Sequence, residues 1–289
     1  MIRIGTRASA LALAQARSVA ERLSQESELV PVRTSGDRAE AVGDKSRWVS
    51  ELERALLDGR IDLAVHSAKD VPAELAPGLS LAAMPPRADP RDAICGAESL
   101  ESLPAGARVG TSSLRRAAQL LAVRGDLRLV EVRGNVDTRL RKLAEGVVDA
   151  LVLAYAGLER LGRSDEAGAV LEELVPAAGQ GALFVEGRSG EAYLVDGLAD
   201  PVTTACVLAE RELTRRLNAS CNTPVGALAR PVDNAPVSPT GDGEIELLGW
   251  VGLPDGSQWI SDRLRGAPSG LGSAVAERML AVGAAELLA

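Results

Sequence analysis

Aromatic residues make up only 2% of this 289-residue chain, and it has a single histidine, His66, and three cysteines. With so few rings, the cores must be filled by Ala, Val and Leu. One histidine, with Cys95, Cys206 and Cys221 at no metal-ligand spacing, argues against a zinc site or any other metal centre. No run approaches the ~20 apolar residues of a membrane span. The chain opens Met1-Ile2-Arg3-Ile4, directly in a strand pattern, so no signal peptide is expected. Reduced thiols and a cytoplasmic location follow as the simplest expectation. Lysine is nearly missing: Lys45, Lys69 and Lys142 stand alone, and the rest of the 32 basic residues are arginine. The net charge of −8 excludes nucleic acid binding through bulk charge. The arginine bias fits genomic base composition, and it fits equally a site that needs planar forks for carboxylates. Composition leaves both open.

Hydrophobic residues at 46% and charged residues at 25% describe an ordinary soluble globular protein, long enough for two or three domains. The first two thirds alternate strand and helix patterns. Ile2 to Ile4, Leu29 to Val32, Ile61 to Val65 and Leu79 to Met84 read as strands. Ala12, Ala16, Val19, Ala20 and Leu23 repeat at helical spacing, as do Trp48, Leu52, Ala55 and Leu56. Pro85-Pro86 and Asp89-Pro90-Arg91-Asp92 read as a linker. A second α/β unit follows, with strands at Arg108 to Gly110, Leu127 to Val132 and Ala150 to Leu153, and helices from near Ser113 and Asp137. The unbroken apolar run Ala150 to Ala154 predicts a parallel strand covered on both faces. Gly179 to Glu186 reads as a crossing strand. Beyond Pro201 the pattern becomes α+β: a helix over Thr203 to Leu217, a turn over Asn218 to Pro224, strands at Leu247 to Val251 and Gln258 to Ile260, and a last helix from Ser273 to Leu288.

Three strand-to-helix junctions share one feature. Ile4-Gly5-Thr6-Arg7-Ala8-Ser9, Val109-Gly110-Thr111-Ser112-Ser113-Leu114-Arg115-Arg116 and Val132-Arg133-Gly134-Asn135-Val136-Asp137-Thr138-Arg139 each join a hydroxyl or amide cap to arginine at a positive helix end. Arginine there opposes the helix dipole, by up to ~1 kcal/mol. A solvated arginine tolerates that cost, but three such junctions point to a shared polyanion site at the carboxyl ends of the strands. Ala64-Val65-His66-Ser67-Ala68-Lys69-Asp70-Val71-Pro72 puts an acid beside a cation at another strand end. Asp70 is read either as a capping residue with an incidental lysine or as a carboxylate that stabilises positive charge on a substrate. His66, on the strand edge, is read as structural. Cys221 lies in the small-residue turn Leu217 to Gly226 and is expected to be exposed, with no histidine nearby to act as its base. Cys95 and Cys206 are expected to be buried.

Taken in order over Ile2 to Leu288, Thr6 to Gln15, Ala64 to Pro72, Gly110 to Arg116, Arg133 to Leu140, Gly179-Gln180-Gly181-Ala182 and the Cys221 turn resemble the porphobilinogen deaminases. The resemblance implies an α/β protein: two periplasmic-binding-protein-like α/β domains plus a smaller α+β C-terminal domain, divided as 1–87 with a returning strand near 183–187, 88–182, and 188–289. It implies a monomeric transferase of tetrapyrrole biosynthesis that adds porphobilinogen units, with loss of ammonia, to a dipyrromethane cofactor and releases hydroxymethylbilane by hydrolysis. The cofactor would be held by a thioether to Cys221. Asp70 matches the carboxylate that contacts pyrrole N–H groups and stabilises a cationic azafulvene-like species, with Lys69 beside it. Ser113, Arg115, Arg116, Gln180 and Gly181 match cofactor-binding positions. Arg7, Ser9, Lys45, Arg133 and Arg139 match positions that bind substrate carboxylates. No metal, nucleic acid or membrane partner is implied. The chain departs from the family at Ala41-Val42-Gly43-Asp44-Lys45-Ser46-Arg47-Trp48, usually richer in glycine, and at Leu183-Phe184-Val185-Glu186-Gly187, where a glycine and a cysteine are usual. The same fold could also serve a non-catalytic anion binder; Asp70 and Cys221 together speak for the enzyme.

Overall fold

A computed structural model describes residues 1–32, 46–219, 223–233, 236–239 and 243–288; the side chains of residues 46–48, 192 and 193 are outside the description, as are Lys45 and Cys221. Two five-stranded sheets and one three-stranded sheet carry the fold. In the first, β1 (Ile2–Arg7) lies parallel to β2 (Ser27–Val32) and to β3 (Leu63–Ser67). Beside β3 the sheet continues with β10 (Leu183–Arg188), antiparallel to both β3 and β4 (Leu79–Ala83). The second sheet has the same plan: β7 (Arg128–Val130), β6 (Arg108–Gly110) and β8 (Ala150–Ala154) are parallel, and β5 (Asp92–Cys95) lies antiparallel between β8 and β9 (Ala167–Leu171). Each sheet thus receives as its fourth strand the segment that has just crossed from the other.

The two crossings run side by side. Ala88 donates its N–H to the Gly181 carbonyl at 3.2 Å. Gly181 has a φ of +84°, and a Cβ there would lie 2.5 Å from the Ala88 oxygen; Gly179 has a φ of +74°, and a Cβ there would lie 3.1 Å from the Lys69 nitrogen. Both left-handed conformation and close backbone approach therefore require glycine on either side of Gln180.

Helices α1 (Ala10–Ala20) and α2 (Ser46–Leu57) flank the first sheet, and α3 (Leu114–Val123), α4 (Val136–Ala144) and α5 (Tyr155–Arg160) the second. The C-terminal unit packs α6 (Pro201–Arg216) and α7 (Pro268–Ala281) on an antiparallel sheet of β11 (Val225–Pro231), β12 (Ile245–Gly252) and β13 (Trp259–Gly266). Asp200 caps α6 by accepting from the Thr203 N–H at 2.9 Å, and Pro201 fits the first turn, where no N–H is needed. The core here is small and aliphatic, with Ala205, Leu213, Ala227, Leu247, Val275 and Met279 among its members.

Several expected elements differ. β5 starts at Asp92, the last residue of the expected linker, and neither it nor β9 nor α5 is anticipated; all are short and lack clear periodicity. β8 is parallel to β6 on one side only and antiparallel to β5 on the other, so the unbroken apolar run reports burial, not strand direction. Gly179 to Ala182 is a turn, and the strand starts at Leu183. The last helix, Pro268–Ala281, is kinked at Ser269 and Gly270 (φ +80°), so its continuous run starts near the expected Ser273, and it breaks at Gly283 (φ +100°) before the short α8 (Ala284–Leu287). His66 sits on a central strand rather than an edge, buried, with Nε2 3.0 Å from Oε2 of Glu186 on β10.

A hub of charge joins the three units. Glu210 of α6 is fully buried and accepts both forks of Arg87, at 2.7 and 3.1 Å, and the N–H groups of Gly179 and Ala229, each at 2.7 Å. Arg87 also donates to the Gln180 carbonyl at 2.8 Å. Removing one partner of such a pair strands the other charge. Glu210→Gln is expected to cost about 3–5 kcal/mol, read as a lower denaturation midpoint. Arg87→Met together with Glu210→Gln, which keeps an amide oxygen for the Gly179 and Ala229 N–H groups, is expected to cost less than the two single losses summed; strictly additive losses would mean the pair is not the joint.

Candidate active site

In both sheets, parallel strands lead through short connections into helix N-termini. Ser9 caps α1 by accepting from the Ala12 N–H (3.3 Å), Ser113 caps α3 from Arg116 (3.4 Å), and Asn135 caps α4 from Thr138 (2.8 Å). Neither α1 nor α3 has an acid in its first turn, so their positive ends are not offset locally. On the side of the first sheet, Arg7, Ser9, Ser67 and Asp70 line one cavity with Gln15, Val49, Val65 and His66. Asp70 closes a short 3₁₀ turn, Ala68–Asp70, that continues β3. Gln15, buried in the apolar face of α1, donates from Nε2 to Ser67 Oγ at 2.8 Å and so ties that strand end to the helix.

From the other side a polar network reaches toward the same turn. Lys69 Nζ donates to Gln180 Oε1 at 3.2 Å, and Arg116 Nη2 lies 3.4 Å from the same oxygen. Gln180 Nε2 donates to Asp92 Oδ1 and to the Pro90 carbonyl, each at 2.7 Å. Arg115 and Arg116, expected to present their forks to a ligand, are only 4% and 6% exposed and close on Asp92, each at 2.8 Å. Burial pushes the Asp92 carboxyl up, but the charges of Arg115 and Arg116, with hydrogen bonds from Arg116 and Gln180, outweigh it and hold the group well below the usual carboxylate range. One buried acid thus fixes two arginines and the glutamine that reaches Lys69.

Two further arginines are short of counter-charge. Arg139 donates to the Gly134 carbonyl (2.8 Å) and Ser112 Oγ (3.1 Å), and Arg160 to the Gly181 carbonyl (2.6 Å). Among the described residues neither forms an ion pair. Burial, then the charge of Arg116, draws Arg139 down to about 10, and burial draws Arg160 down to about 10. Half-buried cations bonded to neutral oxygens are suited to receive carboxylates. Arg133, by contrast, is exposed and pairs with Glu131 at 2.6 Å. Lys45 and Cys221, the remaining expected site residues, lie outside the described residues. Asp92, Gln15, Ser67 and Arg160 were not anticipated; a polar residue at a buried position of α1 is the one signal that could have pointed to Gln15.

Arg139 and Arg160 fit carboxylates of a cofactor, and the Asp70 cavity fits a group that offers N–H donors and gains positive charge. If Arg139 holds a carboxylate, Arg139→Leu weakens pyrrole addition or cofactor retention about ten- to hundredfold, the worth of one charge-assisted pair. Arg22→Leu removes an exposed guanidinium just past α1, bonded to the Ser18 carbonyl and acting on Arg160 only as a minor like charge, and is expected to change little. Equal losses in a titration with porphobilinogen would contradict the assignment.

Among the described residues no cluster of His, Cys, Asp and Glu could hold a metal, and no helix is long and apolar enough to cross a membrane. Residues 2–196 match the family described as "Porphobilinogen deaminase, dipyromethane cofactor binding domain", and residues 204–281 match "Porphobilinogen deaminase, C-terminal domain". The porphobilinogen deaminase of Roseiflexus castenholzii is 48% identical in an alignment of 305 positions, gaps included, that covers 99% of this chain and 98% of that one. That of Thiobacillus denitrificans is 45% identical in an alignment of the same length, covering 99% of this chain and 97% of its own. Among solved structures, an ABC transporter periplasmic substrate-binding protein from Coxiella burnetii aligns with a TM-score of 0.43 at 16% identity, over 71% of this chain and 94% of that one. The family match spans both α/β sheets and the C-terminal unit, and the chain belongs to the porphobilinogen deaminase family.

Proposed function

We propose that the chain joins four porphobilinogen units head to tail, with loss of ammonia, on a dipyrromethane primer attached to Cys221, and releases hydroxymethylbilane by hydrolysis. The observation that carries this reading is the Asp70 turn: it shares a cavity with Arg7 and Ser9 and is joined through Lys69 and Gln180 to Arg116, while Arg139 and Arg160 form no ion pair among the described residues. Dipyrromethane, when bound, supplies the nucleophilic pyrrole carbon to which the incoming unit is joined.

Asp70 accepts the pyrrole N–H of the substrate and stabilises the positive charge that develops as its aminomethyl group departs as ammonia. A half-buried carboxylate at a strand end does this more strongly than one fully in solvent. Lys69, steered by Gln180, sets the local charge next to Asp70. Arg7, Ser9, Lys45, Arg133 and Arg139 receive the acetate and propionate groups of the substrate. Ser113, Arg115, Arg116, Gln180 and Gly181 serve the cofactor. With their forks on Asp92, Arg115 and Arg116 contribute chiefly a fixed positive field, and Ser113 contributes the capped end of α3. We read the chain as three domains, 1–87 with 183–187, 88–182 and 188–289, acting as a monomer in the cytoplasm. The buried free thiols of Cys95 and Cys206 are compatible with a reducing compartment.

The test is direct. Purified protein incubated with porphobilinogen releases one ammonia per unit consumed and accumulates a linear tetrapyrrole that closes spontaneously to a porphyrinogen. Tight binding of porphobilinogen without ammonia release would identify a binder instead.

A further inference from the structure

The turn that carries Asp70 is held from outside its own domain. Arg211, on α6 of the C-terminal unit, donates from Nη1 to the Val71 carbonyl at 3.0 Å and from Nη2 to the Pro72 carbonyl, with the Ala68 carbonyl 3.5 Å from Nη1. These three carbonyls bracket Asp70 in sequence. Among the described residues Arg211 forms no ion pair, so its charge is committed to the backbone of this turn. Its guanidinium carbon stands 5.6 Å from the centre of the Phe184 ring, within cation–π range. Phe184, 3% exposed, packs in turn with Ala68, Val71 and Val207. Val207 and Arg211 are four apart and share one face of α6. That helix ends at Arg216, and Cys221 follows five positions later.

We infer that Arg211, seated on the Phe184 ring, is a positioning residue for Asp70, locking the turn to the helix that leads into the cofactor-bearing cysteine. The inference rests on the reading of Asp70 given above. Arginine suits the task and lysine does not: a planar fork reaches two carbonyls while its face lies on a ring, and an ammonium cannot do both.

A displaced catalytic group costs rate without touching substrate affinity; a shift near 1 Å can cost on the order of a hundredfold. Arg211→Lys in the holoenzyme, its cofactor content checked by mass, is therefore expected to lower kcat by roughly ten- to hundredfold with KM within about twofold. Phe184→Leu keeps apolar bulk and removes the ring face, and is expected to lower kcat about threefold. Hydrogen exchange in the peptide spanning 68–75 should quicken in both variants, while α1 and the first turns of α6 keep their protection. In an Asp70→Asn background the Arg211→Lys loss should shrink to under about twofold, because the lysine variant then misplaces a group already disabled.

A full, additive Arg211→Lys loss in that background, or unchanged exchange at 68–75, overturns the inference. Asp70→Asn alone leaving activity near wild type would instead overturn the reading of Asp70, so the two failures are distinguishable. If Arg211→Lys does not load cofactor, the milder Phe184→Leu carries the same cycle at smaller amplitude: coupling to Asp70 supports the clamp, and additivity refutes it.

Discussion

Asp70→Asn is expected to lower turnover by roughly 10²–10⁴, the range for a positioned group that stabilises charge or moves a proton. The amide matches the carboxylate in shape, so the 3₁₀ turn, the Arg211 contacts to the neighbouring carbonyls and the Lys69–Gln180 bond should survive. What disappears is the negative charge opposite the carbon that becomes cationic as ammonia leaves. One amide oxygen can still accept a pyrrole N–H, so substrate affinity should fall much less than rate. Single-turnover mixing with porphobilinogen separates the two, and a variant within a few fold of wild type in that assay would remove Asp70 from the chemistry.

Cys221→Ser is expected to abolish the covalent cofactor and with it nearly all activity. The thiolate is the reactive form of cysteine, and a serine hydroxyl does not ionise at working pH. The other two thiols offer no substitute. Cys95 is wholly buried, and burial pushes its thiol up to about 11; burial likewise pushes Cys206 up to about 12, with Glu210 adding to the effect. Neither holds an appreciable thiolate fraction near neutral pH. Peptide mapping of the variant should find no pyrrole-bearing fragment, whereas an adduct on Cys95 or Cys206 would contradict the assignment.

The parts of the site legible in the sequence are those governed by local rules. Ser9, Ser113 and Asn135 cap their helices because a short polar side chain before an apolar periodic run satisfies the first free N–H groups, and each does so here. The alternation of strands and helices likewise gave the fold class. Long-range pairing was not legible. Arg87 and Glu210 are 123 positions apart, in a proline-rich connection and a charged helix where either would pass for a surface residue. Arg115 and Arg116 read as ligand-facing because they open a helix at a strand end, yet Asp92, more than twenty residues earlier in a supposed linker, draws both inward. The return of β10 to the first sheet agrees with the crossing strand expected near 183–187, but the opposite crossing of β5 leaves no local mark, since four residues carry no information about their neighbours.

Intact mass of the purified chain tests the central claim most directly. The account predicts the sequence mass plus one dipyrromethane, localised to the peptide containing Cys221, and a ladder of further pyrrole increments when porphobilinogen is added in small molar excess. A chain at its bare sequence mass that stays there after porphobilinogen is added would contradict it.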